Sequence, residues 1–572
     1  MEVKKKEINN SEKKIMLKGR KKKKGSSSER DVNTTSSSER KSIVTSVTLD
    51  GAFDYVKGNG TAPLFFGIFF AVSCGLNALS LYQIPFMTKM PDFECRNSSS
   101  ANWEACTVET VCANTQEGFE TRYDWSSETT IDNWITRLGL ECVDSSKIGI
   151  IGSLFFLGFV LGAGFLLRLA DIKGRKPILM ASLIVSLFFG VGYLFVQNIY
   201  HIYILTFING IVGSVRISCS YMYEMEMIPE SMKKNINLLS GTMDSLCVIF
   251  IAFFYYCTRY GNGILQIYIV FTVIVLVIMT QIPETPRFLY STKQWDRLHK
   301  CFDLFAKMNR GNALTVKFDQ EDHEVEDENG KIRPPLCEDR RRVINLIAMV
   351  FNWCVCSFSF YVLGFFVKYF KGNMYTNACI MGIADVLANV TLRAAQQCLS
   401  TKKGFVISFS WVFLFTIIYF FIQDEVSLVP IIVLCMRFGV TFAFSSSYFG
   451  NQEYFESHYL STVFGICNVF ARSSTIFAPI VVEMIPQPIV LITIFTLASA
   501  ITSTVLKRQT EGSFQTSGKK GNIPFVEGSA VEGRDVDSGL EQREVEGIDE
   551  VRKEVFLLED DDEEDQSNNA GK

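Results

Sequence analysis

Apolar runs alternate with polar connections along most of the chain, near 62–88, 147–167, 177–197, 200–223, 238–258, 263–282, 343–367, 375–399, 404–422, 427–448, 461–485 and 488–506. Most reach the roughly 20 residues that a helix needs to cross a bilayer core. Four polar stretches interrupt them: 1–61, 89–146, 283–342 and 507–572. The pattern predicts an all-α membrane protein with twelve transmembrane helices in two six-helix pseudo-repeat halves, 62–282 and 343–506. The 1–61 arm and the 507–572 tail read as mostly disordered, and Leu49, Phe53, Tyr55 and Val56 within 42–60 suggest a short interfacial helix. The first apolar run follows sixty polar residues, so it reads as a retained span and not as a cleaved signal.

Charge is segregated. Residues 1–60 hold 15 Lys/Arg against 8 Asp/Glu, and residues 507–572 hold 9 against 18. Long uncharged stretches between them exclude a soluble enzyme or a nucleic-acid binder. Basic residues flank one set of span ends: Arg168 to Lys176, Lys233–Lys234, Arg340 to Arg342, Lys402–Lys403 and Lys507–Arg508. The positive-inside rule makes that side cytosolic, with both termini on it, most simply at the plasma membrane. The opposite loop 89–146 carries 4 basic and 11 acidic residues. It also holds Cys95, Cys106, Cys112 and Cys142 and the sequon Asn97-Ser98-Ser99. Two disulfides, in any of three connectivities, and glycosylation at Asn97 are expected there. Four histidines, and no Walker pattern, nucleophile constellation or metal-ligand cluster, predict no enzyme chemistry, no cofactor and no metal.

The connection between spans 2 and 3 reads Leu169-Ala170-Asp171-Ile172-Lys173-Gly174-Arg175-Lys176. Gly174 permits a tight turn between antiparallel helices, and the flanking charges are suited to ion pairs that break as one half rocks against the other. A glutamate recurs at matching places in the halves, Glu226 after span 4 and Glu453 after span 10. After span 6, Pro283 and Pro286 in Pro283-Glu284-Thr285-Pro286-Arg287-Phe288-Leu289 stop the helix. Glu284 and Arg287 are then placed to pair with the moving loops.

These motifs resemble those of the major facilitator superfamily. The Pro283–Leu289 segment resembles the Pro-Glu-Ser-Pro-Arg-Trp-Leu motif of its organic cation/anion/zwitterion transporter family. So do Ala306-Lys307-Met308-Asn309, Tyr361 and Gly364 in span 7, Gly372-Asn373-Met374-Tyr375-Thr376-Asn377, Leu49 through Gly60, and the cysteine-bearing loop after span 1. The resemblance covers roughly 46–506. Departures are Leu167 and Ile172 in the 2–3 motif, its decayed copy Ser400-Thr401-Lys402-Lys403-Gly404, Thr206 in span 4, and Glu456 and Leu460 after span 10.

Ionisable residues at membrane depth are functional candidates by default. They are Asp244, Asp385, Arg437 and Arg472, with Arg216 in span 4 and Glu224 and Glu226 near its end. The resemblance implies that Asp385 occupies a commonly acidic position of span 8. It also implies that Arg472 occupies a span 11 position that is a cation in anion and zwitterion carriers. Arg472 would then hold a substrate carboxylate, Asp385 an ammonium group or a coupling ion, and Tyr361 a wall of the site. A structural Asp385–Arg472 bridge is the plainer alternative. The expected function is secondary or facilitative transport of small organic ions by alternating access, anions or zwitterions favoured, with proton or sodium open as the coupling ion. A sugar or nutrient symporter, and a non-transporting receptor or scaffold on this fold, are the competing readings.

Overall fold

A computed structural model of the 572-residue chain describes residues 49–56, 60–97, 102–113, 119–310, 318, 336, 338–395, 398–455 and 457–507. The basic run Lys21 to Lys24, Glu456 and the acidic run Glu559 to Asp565 lie outside them. Twelve helices follow the twelve apolar runs. The first six are α1 (Thr61–Tyr82, continued by the turn Ile84–Met87), α2 (Ser145–Lys173), α3 (Arg175–Tyr193), α4 (Ile199–Glu226), α5 (Glu230–Thr258) and α6 (Asn262–Gln281). The second six are α7 (Arg340–Phe366), α8 (Met374–Ala395), α9 (Thr401–Ile422), α10 (Val429–Tyr454), α11 (Ser457–Thr475, continued by Phe477–Met484) and α12 (Ile489–Ser503). Among the described residues, eleven helices are long and apolar enough to cross a membrane; α12, at 15 residues, is shorter.

Several helices outrun their apolar cores. Helix α2 continues through Arg168 and Asp171, and α5 begins at Glu230 rather than near 238. Hydropathy marks where a helix leaves the bilayer, whereas caps and prolines decide where it ends. Asp144 caps α2 by accepting from the Ser146 amide at 2.8 Å, and the Ser146 hydroxyl and amide hold its carboxyl below the ordinary range. Asn198 and Asp339 cap α4 and α7 in the same way. Pro479 lacks an amide and its ring crowds the carbonyl four residues back, at Thr475, which is where α11 breaks.

Packing depends on small residues. A Cβ on Gly158 of α2 would lie 2.1 Å from the Phe207 carbonyl of α4, and one on Gly210 of α4 would lie 2.1 Å from the Phe155 carbonyl of α2. The two backbones therefore meet directly, as small residues permit in membranes. The halves meet through α2 against α11 and α5 against α8. Gly149 and Gly152 receive Pro479, and Gly382 receives Ile249 and the Ser245 carbonyl.

On one face, the connection after α1 folds into a three-stranded antiparallel sheet, β1 (Phe93–Asn97), β2 (Glu104–Cys106) and β3 (Phe119–Tyr123), in the order β2-β1-β3. Disulfides join Cys95 to Cys106 and Cys112 to Cys142, one of the three connectivities open from sequence. Asn133 ties this loop to the bundle by donating to the carbonyls of Phe86 (3.0 Å) and Lys89 (2.8 Å). Asn97 ends β1 opposite Phe119; Ser98 and Ser99 of its sequon lie outside the described residues.

On the other face, short helices Pro286–Ser291 and Trp295–Met308 follow α6. The segment Leu49–Tyr55 is helical, but Ala52, Phe53 and Val56 are buried. Phe53 packs on Phe302 and Phe305 at 5.2 and 5.6 Å, so the apolar stripe expected to rest on lipid is taken by protein. Asn309 fixes the assembly, accepting from the Ala62 amide at 2.7 Å and donating to the Val56 carbonyl at 2.9 Å.

Replacing Gly158 by Leu should wedge α2 from α4, at a cost of about 3 kcal/mol or more from overpacking. Purification in detergent should give less monodisperse protein with a lower apparent Tm, while Gly164→Leu, where a Cβ meets nothing within 4 Å, should leave both near normal.

Candidate functional site: the space between the halves

Four ionisable side chains converge between the halves: Asp244 of α5, Asp385 of α8, Arg437 of α10 and Arg472 of α11. Arg437 donates from Nε and Nη2 to the two oxygens of Asp385 at 2.8 and 2.9 Å, and from Nη1 to the Phe360 carbonyl at 2.6 Å. The Thr441 hydroxyl also donates to Asp385. Both charges are almost fully buried. This bidentate pair stands in place of the alternative Asp385–Arg472 bridge, and it occupies both oxygens of Asp385. The guanidinium fork matches a carboxylate best when both oxygens are reached. Arg437 lies on the neighbouring α10 and reaches both.

Arg472 is only half-buried. It donates to the Tyr361 hydroxyl at 3.0 Å and lies 4.8 Å from the Phe159 ring centroid, and no carboxylate pairs with it among the described residues. Arg472 and Tyr361, both named for the site from sequence, thus meet here, whereas Asp385 pairs with Arg437 and not with Arg472. Asp244 accepts from the Tyr82 hydroxyl of α1 at 3.0 Å and lies within electrostatic range of Asp385, Arg437 and Arg472. A small cavity of about 30 Å³ lies at this junction, lined by Tyr82, Pro85 and Phe86 from one half and Tyr361, Phe365 and Arg437 from the other, among others. Tyr82 and the pairing role of Arg437 were missed from sequence. The signal available was one tyrosine at the end of the first apolar run and an arginine within an apolar helix.

A second cluster lies at the end of the first half that carries the 286–308 helices. Gly174 takes φ +103 between α2 and α3, and a Cβ there would lie 2.5 Å from Glu284 Oε2. That oxygen accepts from the Lys176 amide at 3.0 Å. Arg175 pairs with Glu226 at 3.2 Å and, more weakly, with the mostly exposed Asp171 at 3.6 Å, and its guanidinium lies 5.3 Å from the Phe288 ring centroid. The Lys176 ammonium donates to the Thr280 carbonyl at 3.1 Å. All these residues belong to α2, α3, α4, the end of α6 and the segment after it. The loop expected to lock one half onto the other thus ties parts of a single half together. A short loop reaches the ends of its own neighbouring helices first. Arg287 is exposed, with no ion pair to another described residue. In the second half Glu453 accepts from the Thr401 amide at 3.1 Å, an acidic cap on α9 where Glu284 caps α3.

Two six-helix halves with ionisable side chains held between them at membrane depth define a multi-pass membrane protein of the transporter class, and not an enzyme. The chain belongs to the Major Facilitator Superfamily, whose family model matches residues 124–479. It is 24% identical to mouse solute carrier family 22 member 4 over 64% of this chain and 67% of that protein. It is 23% identical to human organic cation/carnitine transporter 2 over 64% and 66%. It is 24% identical to Arabidopsis thaliana organic cation/carnitine transporter 4 over 56% and 61%. The chain thus spans about two thirds of the length of these curated relatives, or somewhat less. The solved inward-open xylose transporter XylE from E. coli has the same fold, with a TM-score of 0.51, 12% identity, and coverage of 78% of this chain and 97% of that one.

Asp385→Asn should lower the apparent Tm strongly, because it strands the Arg437 charge at a cost of about 3–5 kcal/mol. Arg472→Gln, which breaks no ion pair, should melt near the parent in the same detergent.

Proposed function

We propose that the chain moves small organic ions that carry a carboxylate or related anionic group, by alternating access of the two halves. One observation carries this reading: Arg472, a half-buried cation at membrane depth, has a phenol and a ring as neighbours but no acid among the described residues. A cation in that setting costs several kcal/mol by order of magnitude unless an anion joins it. A substrate carboxylate supplies that anion, and the guanidinium offers it a fork of donors. Arg437 is excluded from this role because Asp385 already neutralises it.

Contacts between the halves near the sheet-bearing face support a conformation shut on that side. Ser153 donates to the Ile476 carbonyl at 2.6 Å, and Lys368 donates to the Thr88 carbonyl at 3.0 Å. The Lys368 ammonium is itself neutralised by Glu483 at 2.6 Å. The acidic loop with its disulfides is the exoplasmic side on this reading, and the termini are cytosolic at the plasma membrane. Asn97 is then open to glycosylation. The Arg175–Glu226 and Lys176–Glu284 contacts keep the cytosolic end of the first half moving as one body. A proton or sodium ion is the candidate for coupling.

Uptake into proteoliposomes tests the reading. Arg472→Gln should reduce kcat/KM for carboxylate substrates about tenfold or more, the value of a charge-assisted bond. Equal uptake by variant and parent would overturn the anion assignment. Arg175→Ala should lower the maximal rate several-fold with KM near the parent value, since it acts on rocking and not on the site. A raised KM at unchanged maximal rate would contradict that role.

A further inference from the structure

Of the four charges between the halves, Asp385 and Arg437 cancel one another in direct contact. That leaves Asp244 and Arg472 as opposite charges that are not paired with each other and stand on opposite halves. Each is steadied by one tyrosine of its own half, Tyr82 to Asp244 at 3.0 Å and Tyr361 to Arg472 at 3.0 Å. Both tyrosines line the same cavity, and both charged side chains are half-buried, in contrast to the buried Asp385–Arg437 pair. Asp244 has no cation in salt-bridge contact among the described residues, and Arg472 has no anion. A carboxylate and a guanidinium held in this way favour a ligand that brings the complementary charge to each.

We infer that Asp244, together with Tyr82, is the anchor for the cationic end of a zwitterionic substrate whose carboxylate rests on Arg472 and Tyr361. The inference rests on the anion-binding reading of Arg472. It moves the ammonium site from α8 in the second half to α5 in the first. A ligand bound this way bridges the halves, since its two ends are held by helices that move relative to one another. Tyr82 and Tyr361 meet these charges through their hydroxyls, and both line the cavity between the halves.

Three probes of nearly one shape isolate the charges. They are 4-(trimethylammonio)butanoate, its uncharged-end isostere 5,5-dimethylhexanoate, and butyltrimethylammonium, which lacks the carboxylate. Uptake of each, labelled, is measured in proteoliposomes for the parent, Asp244→Asn, Tyr82→Phe and Arg472→Gln, with thermal unfolding as a check that each variant is folded. Asp244→Asn should raise KM for the zwitterion about tenfold, the worth of one charge-assisted contact, and leave 5,5-dimethylhexanoate within about twofold. Tyr82→Phe should move the zwitterion in the same direction but less, and provides the test should Asp244→Asn fail to fold. Arg472→Gln should depress both carboxylates. If Asp244→Asn depresses zwitterion and isostere alike, or abolishes a sodium or proton dependence shared by both, Asp244 serves coupling or structure and the inference fails while the anion reading stands. Unchanged uptake of all three probes in Asp244→Asn and Tyr82→Phe overturns it as well. If the parent takes up neither carboxylate, the anion reading itself falls, and this inference with it.

Discussion

The arrangement depends on the cost of holding charge between apolar helices. An isolated ion there loses its hydration and must recover several kcal/mol from neighbours. Arg437 and Asp385 recover it completely, with both carboxylate oxygens bonded, a carbonyl on the third guanidinium nitrogen and a threonine on the acid. That pair joins α8 to α10 within the second half. Asp244 and Arg472 recover only part of it, through a phenol each. The difference between complete and partial satisfaction is what separates scaffold from candidate site.

The same logic extends to the ends of the bundle. Near the sheet-bearing face, Lys368 is neutralised by Glu483 while donating to Thr88 of the other half, so a bond between halves is made without leaving an unpaired ion. At the far end, Arg175, Glu226, Lys176 and Glu284 close a network within the first half. Glu453 and Thr401 echo part of it in the second. Bonds within a half make it rigid, and at the far end the described halves still touch through an exposed contact, Arg393 of α8 donating to Asn235 of α5 at 2.5 Å. Parting that end to move a ligand past a central site means breaking this contact.

Much of this was legible along the chain. Twelve apolar runs gave twelve helices because lipid forces every backbone polar group to be satisfied within its own segment. The even set of cysteines in one acidic loop gave two disulfides. Gly174, Glu226 and Glu284 were recognisable from their spacing, and each makes a contact in the 2–3 loop network. Arg472 and Tyr361 could be linked because each was a polar oddity in a span that the family resemblance places beside the cavity.

Partnership was not legible. Asp385 could pair with either Arg437 or Arg472 by depth alone, and only the packing of α8 against α10 decides in favour of Arg437. Asp244 and Tyr82 lie 162 residues apart and meet because α1 and α5 cross where they do. The reason the 2–3 loop binds its own half, and the reason Phe53 packs on Phe302 rather than lipid, are likewise matters of three-dimensional neighbourhood. Hydrophobicity is summed along a segment, so sequence alone determined which segments enter the membrane. A hydrogen bond or ion pair depends on distances of about 3 Å between distant segments, so only the tertiary structure decided which charges are paired and which remain to meet a ligand.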